Sequence, residues 1–287
     1  MITTGPARPG RIVAGAYLRT LRMKADLTPH QAAARAHCSY PTLQRVETGR
    51  STADAHALER LTDLYLPNSP EQAAEIIALA ALPKSVGDTS DRWNARLTAL
   101  EYLAGTIVLA SINMIPAVLR CPSYEQFLRD VGDAPAGSRA LPPDHGKNVV
   151  AYLHEDAIRR AGTPDMVGEQ AAHLLAGTAD VRVILRDRDG LSEYLPLRAG
   201  VVYGQLWIRP TPLYTVETLN YGVRYPDDTD SSVSAKLDLC RTRAATRADS
   251  RAFLRTLIDD SDGAEVPPVR SGEYATAAGE VLTPSRC

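Results

Sequence analysis

The stretch TPHQAAARAHCSYPTLQRVETG runs from Thr28 to Gly49. Thr28 is a favourable N-cap, and Pro29 fits the first helical position, where a missing N–H costs nothing. Residues 29–36 are alanine-rich and favour helix. Their small side chains, Ala32, Ala33 and Ala36, let another helix come close. His37 and Cys38 break the pattern, and Ser39 is the next N-cap. Pro41 lies in the first turn of the following helix, where proline is tolerated. That helix runs to Thr48, and Gly49 is placed as its C-terminal stop. Two short helices joined by a tight turn are expected.

At 100° per residue, Leu43 and Val46 share one side of the second helix with Ser39, Thr42 and Glu47. Pro41, Gln44, Arg45 and Thr48 point the opposite way, with Tyr40 at the edge. An inward apolar pair with an outward Gln/Arg/Thr face suits a helix lying in a DNA major groove. There Arg and Gln pair with base edges, and Thr and Tyr reach bases or phosphates. The plain alternative is a generic helical pair in an all-α domain. It leaves the agreement of caps, turn and outward face unexplained.

This pattern resembles the helix-turn-helix of the Cro/phage-repressor (XRE) family. That family has apolar residues at the places of Ala32, Ala36, Cys38, Leu43 and Val46, and a small one at Ala33. It ends the recognition helix in an R-[IV]-E-x-G string, here Arg45 to Gly49. The resemblance implies a structural ion pair between Glu47 and Arg22 of the preceding helix, with neither touching DNA. Two places depart from the family. The glutamine that commonly opens the first helix and touches the DNA backbone is replaced by Pro29, with Gln31 two residues on. The turn position, commonly glycine at positive φ, holds His37, which adopts that conformation at some cost. The residues expected to meet DNA are Thr28, Gln31, Ser39, Tyr40, Pro41, Gln44, Arg45, Thr48 and Arg50. Ser39 and Arg50 are assigned to phosphates, and Tyr40, Pro41, Gln44 and Arg45 to the groove.

Outward from the motif, a chain of 287 residues with 44% hydrophobic content supports two domains with real cores. The overall charge of −2 gives no nucleic-acid signature. Its distribution does, because residues 1–66 carry nine Arg/Lys against five Asp/Glu and leave the remainder acidic. A basic head on an acidic body suits DNA binding with a separate sensing or pairing domain. The expected fold class is multidomain: an all-α, five-helix helix-turn-helix head followed by an α+β C-terminal domain. Residues 1–10 read as a disordered arm, 11–82 as the head, 83–90 (PKSVGDTS, Pro83 to Ser90) as a linker, 91–258 as the α+β domain and 259–287 as a disordered tail. The fifth helix, residues 70–82, is apolar around much of its circumference, so it packs on more than one side, against its own chain or a second protomer. Strands are expected at 106–112, 149–153, 181–185, 195–197, 200–208 and 213–219, and residues 132–147 read as loop.

The segments after the linker resemble the C-terminal domain of the actinomycete WhiJ-like regulators. Leu100-Glu101 matches a Leu-Glu in that family's long helix. Ile115 to Tyr124 matches an Ile-Pro-Gly-Leu-Leu-Gln-Thr-x-x-Tyr string, and His154 to Arg160 an acidic-Glu-Ala-[LI]-Arg-Arg string. Met166 to Leu174 matches a Met-x-x-Gln-x-x-x-Leu helix. Departures are Ala117 for Gly, Arg120-Cys121 for Gln-Thr, and the loss of an Arg-rich helix where 133–147 run. The resemblance implies a regulator acting with a small partner protein, in a role sometimes described as antitoxin-like.

Chemistry is hard to find in this part of the chain. His154-Glu155-Asp156 is not an HExxH motif, His145-Gly146-Lys147 is not a P-loop, and no G-x-S-x-G occurs. Asp187, Asp189 and Glu193 read as a solvated loop. Trp207, Tyr203, Tyr214 and Tyr221 line either a ligand pocket or, as strand aromatics more often do, the core. The four cysteines show no CxxC spacing and read as reduced thiols, with no zinc site. No apolar h-region opens the chain, and the uncharged run 103–119 is short and interrupted for a membrane span.

The expectation is a cytoplasmic, non-enzymatic, sequence-specific regulator that binds double-stranded DNA as a homodimer without a cofactor. Its C-terminal domain would serve an effector or partner protein. The alternative is an antitoxin-like interaction module in which DNA binding is secondary.

Overall fold

The computed structural model describes residues 8–50, 55–82, 84–132, 139, 146–186, 197–208, 211–218, 221–227 and 231–262. The head is all-helical: α1 (Pro9–Lys24), α2 (Pro29–Arg35), α3 (Tyr40–Glu47), α4 (Ala55–Tyr65) and α5 (Pro70–Ala81). Ala14, Leu18, Ala32, Ala33, Leu43, Val46, Leu58, Leu61 and Ile76 pack into its core. The body is a mixed sheet with helices on both faces, so the expected multidomain, helical-then-α+β class holds.

The sheet runs β1 (Val86–Asp88), β7 (Gly222–Tyr225), β6 (Thr211–Thr218), β5 (Val201–Ile208), β2 (Thr106–Ser111), β3 (Asn148–His154) and β4 (Asp180–Ile184). Strands β2, β3 and β4 are mutually parallel, and the others join antiparallel. The parallel strands are apolar on both faces because helices cover both. In β2, Ile107 and Leu109 enter the larger core while Val108 and Ala110 face the smaller one. The larger face carries α6 (Trp93–Leu103), α7 (Pro122–Asp130), α8 (Glu155–Arg159), α9 (Pro164–Ala176) and α11 (Arg247–Asp262). The smaller face is covered by α10 (Ser232–Arg243) through Val233, Leu237 and Cys240.

Several boundaries differ from the sequence reading. Helix α1 begins at Pro9, inside the stretch read as an arm, because Gly10 lets α1 lie against the Leu79 carbonyl of α5. The stretch read as a linker contains β1, which pairs with β7 from Val86↔Tyr225 to Asp88↔Val223. Helix α11 continues through residues 259–262, which were read as tail. Its Ser261 hydroxyl donates to the Ile258 carbonyl and packs by Gly168 of α9. Strand β7 was not anticipated, and Leu197 is buried outside any strand. In the stretch read as loop, Arg139 is buried and bonded to Glu217. Residues 1–7, 195–196 and 263–287, which held other readings, lie outside the described residues.

Head and body share one core. Ile12, Val13 and Ala16 of α1 and Leu79 of α5 pack with Val86 and with Trp93, Leu97 and Leu100 of α6. A charged network crosses the same seam. Arg96, 1% exposed, donates to Asp88 at 2.7 and 2.8 Å and to Glu75 of α5 at 3.0 Å. Arg92 reaches the other oxygen of Glu75 at 3.0 Å, and the Arg96 guanidinium lies over the Tyr17 ring. The second apolar side of α5 is therefore taken up within the same chain. Among the described residues no helix is long and apolar enough to cross a membrane, and no three His, Cys, Asp or Glu side chains gather as a metal site.

Candidate nucleic-acid interface

The motif is seated by close backbone approaches. Gly15 of α1 faces the Val46 carbonyl at a distance that excludes a Cβ. Gly49 ends α3 at φ 67°, and a Cβ there would meet the backbone of Ile12 at 2.7 Å. Glycine is needed at 49 for both reasons. Arg22 then ties α1 to α3 by two bonds to Glu47, Nε to Oε1 at 2.6 Å and Nη2 to Oε2 at 3.1 Å. Its third donor goes to the Leu27 carbonyl at 2.8 Å, which fixes the entry to α2. The hydrogen bonds that Arg22 donates to Glu47 raise the Arg22 pKa. Neither side chain of the pair is free for DNA.

The turn is built as its chemistry requires. His37 sits at φ 49°, in the position that commonly takes glycine. Thr28 and Gln31 form a capping box: the Thr28 hydroxyl accepts from Gln31 N and the Gln31 Oε1 accepts from Thr28 N. The Gln31 Nε2 donors are outside the box and can meet a phosphate. Ser39 caps α3 by accepting from Thr42 N at 3.2 Å, and its hydroxyl also bonds the Thr42 hydroxyl. Arg60 of α4 closes the end of α2 on the Ala36 carbonyl.

Leu43 and Val46 are buried, and Tyr40, Pro41, Gln44 and Arg45 are exposed along the opposite face. Thr28, Gln31, Ser39 and Arg50 are also exposed. The starts of α2 and α3 come together, because the His30 and Tyr40 rings stack at 4.6 Å. Arg50 lies past the far end of α3, roughly 15 Å from Ser39 at the helical rise. The set therefore forms a strip along one helix, with a cluster at its N-terminal end. Thr48 is half-buried, and its hydroxyl donates to the Gln44 carbonyl at 2.7 Å, which spends its donor inside the helix. Arg45 folds back on the Pro41 carbonyl and the Thr42 hydroxyl, both at 3.3 Å. Those contacts are long enough to exchange for a base edge.

His30 was missed in the sequence. Its signal was available: it is the second residue of one capped helix, and Tyr40 is the first of the next. The thiol of Cys38, at the turn, is pushed up in pKa by burial, and packs against the head core.

The model for a helix-turn-helix domain matches residues 13–75, which covers α1 to the middle of α5. A second model, described as a domain of unknown function, DUF5753, matches residues 94–256, more than half of the chain. The chain belongs to the DUF5753 family. Its DUF5753 part begins inside α6, so Arg96, Leu97 and Leu100 of the seam fall within it while Asp88 and Arg92 lie just ahead of it. No curated protein matches this DUF5753 chain. Among solved structures, one titled as that of TrmBL2, an archaeal chromatin protein with a novel mode of DNA binding, matches at 15% identity. The match covers 76% of this chain and 87% of that one, at a TM-score of 0.28, a likeness too low to bear on the fold.

In this DUF5753 chain the exposed side of α3 presents one guanidinium, one amide and one phenol. That is a set able to pair with purine edges and to press on phosphate or sugar.

Proposed function

We propose that the chain is a sequence-specific DNA-binding transcriptional regulator of the WhiJ-like type, with α3 lying in the major groove. The observation that carries this reading is the division of α3. Leu43, Val46 and Glu47 are held by α1, while Pro41, Gln44 and Arg45 stand exposed on the other side. The match of residues 13–75 to a helix-turn-helix domain supports it. The strip is narrow for a single copy, so the chain works as a homodimer on a partly palindromic site with half-sites about 10 bp apart. It acts by binding and not by catalysis, and its α+β body serves an effector or partner.

Selection of bound sequences from random DNA, with affinity then measured at two salt concentrations, tests this. A recovered inverted repeat bound well above random DNA supports the reading. Binding that falls away with salt equally on all sequences removes it.

A second reading has one observation of its own. Phe127 and Val131, 38% and 52% exposed and four residues apart at the end of α7, form an apolar spot on the body. It suits a small partner protein in an antitoxin-like role. A chain that selects no sequence but co-purifies with such a partner, and loses it on Phe127→Ser, supports this second reading.

A further inference from the structure

Helix α10 covers only part of the smaller face of the sheet. The register across that face aligns Gly87, Arg224, Val216, Tyr203, Ala110 and Tyr152. Tyr203, Ala110 and Tyr152 belong to the core beneath α10. Toward β7 and β1 the apolar row gives way to Arg224 and Gly87, and a cleft of about 510 Å³ opens beside α10. Arg198, Arg224 and Lys236 line it, with Tyr203 and Tyr221. Thr89, Thr218 and Ser232 add hydroxyls. Among the described residues that line it, none is acidic.

Each feature has a chemical reading. Three cations around one concavity suit a ligand group with more than a single negative charge, and arginine pairs well with phosphate oxygens. Tyr221 is 76% exposed, which leaves its ring face accessible for stacking on a planar group. The Lys236 ammonium lies 5.6 Å from the centre of the Tyr203 ring and donates to the Ser232 carbonyl at 3.3 Å, so its position is fixed at the cleft wall. The volume falls in the range of small-ligand sites, about 300–1,000 Å³.

We propose that this cleft binds a small phosphorylated ligand carrying a planar ring, of mononucleotide size. The phosphate meets Arg198, Arg224 and Lys236, and the ring lies against Tyr221. The floor of the cleft joins it to the head. Gly87 and Thr89 line the cleft, while Asp88 between them turns to the opposite face and holds Arg96. Gly222, at φ 126°, lets β7 approach so closely that a Cβ would meet the Asp88 carbonyl at 2.3 Å. A ligand thus sits on the reverse side of the strand that anchors the head, where it can bias the setting of α5 through Arg96 and Glu75. The binding itself does not depend on the head's reading DNA.

Calorimetric titration of the full-length chain, without DNA, tests the site separately from the DNA reading. The probes are AMP, CMP, inorganic pyrophosphate and adenosine. AMP or CMP is expected to bind one to one, with pyrophosphate weaker and adenosine weaker than AMP by about a hundredfold or more. Lys236→Gln and Arg198→Gln are each expected to weaken the nucleotide by about tenfold. Arg241→Gln, on α10 but paired with Asp238 outside the cleft, leaves it unchanged. Thermal melts of the three variants should match the native chain. The proposal is overturned if none of the phosphorylated probes binds at millimolar concentration. Adenosine binding as tightly as AMP, or the two cleft variants binding like the native chain, also overturns it.

Discussion

The Arg96 guanidinium in the body donates to the Glu75 carboxylate in the head at 3.0 Å while gripping Asp88 through Nε and Nη2. Two parts of the chain with different compositions are thus joined through one side chain that is 1% exposed. A buried charge that loses its partner is costly, and Asp88 is 3% exposed. Arg96→Met is expected to lower stability by about 3–5 kcal/mol. Urea unfolding followed by tryptophan fluorescence and by helical circular dichroism should coincide in the native chain. In the variant the head should melt first, and two coincident curves of unchanged midpoint would contradict the assignment.

Glu47→Ala leaves the Arg22 guanidinium, whose side chain is 8% exposed, with only the Leu27 carbonyl. A stability loss of about 3 kcal/mol is expected. DNA affinity should then fall by a similar factor on every sequence, because α3 loses its seat and not its reading residues. With Glu47 intact, Arg22→Lys should also cost stability, since an ammonium cannot make the two-point contact. A Glu47→Ala chain of native stability with altered sequence preference would make Glu47 a base contact instead.

Arg45→Ala tests the reading face. The loss on the selected sequence is expected to be about 1–3 kcal/mol, with relaxed preference at one base pair. Equal loss on selected and random DNA makes Arg45 a phosphate contact, and no loss removes it from the interface. Gln44→Ala should behave the same way at a neighbouring base pair.

The head was legible because its signals are local. Thr28, Ser39 and Gly49 announce two helix starts and a stop within a few residues. The Arg22–Glu47 pair was not visible in spacing and came only from the family pattern. The seam was illegible for the opposite reason. Val86 to Asp88 is a strand only because Tyr225 to Val223, far along the chain, complete its ladder. A valine, a glycine and an aspartate between Ser85 and Thr89 carry no strand signal of their own. Nothing local to Arg96 in the sequence marks its charge as buried. The tyrosines divided in a way the sequence left open. Tyr203 and Tyr221 line the cleft, while Trp207 and Tyr214 do not.

Beneath the large face of the sheet, Glu101 is buried 3.5 Å from Arg139, which holds Glu217 at 2.6 and 2.7 Å. Burial raises the Glu101 carboxyl to about 7; Arg139 pulls it down, and Glu217 pushes it up. A folded-state value above the ordinary glutamate range means the native chain holds a proton that the unfolded chain gives up. The stabilising contribution is complete below the ordinary range and is lost as pH rises through 7. Urea unfolding at pH 5 and pH 8 should show a stability loss from this group of about 1–3 kcal/mol. Glu101→Gln should flatten that dependence, and an equally steep fall in the variant would place its source elsewhere.

The joint between head and body has a geometric consequence. A head on a tether can swing to meet half-sites at several separations, but here Ile12, Val13, Leu79 and Arg96 clamp it to the body. In the proposed dimer the two reading helices would behave as the jaws of a fixed gauge, set by whichever body surfaces meet. One inserted base pair turns a half-site by about 35° about the duplex axis. With no swivel to follow it, the pair of chains would have to bend the DNA or let go of one side.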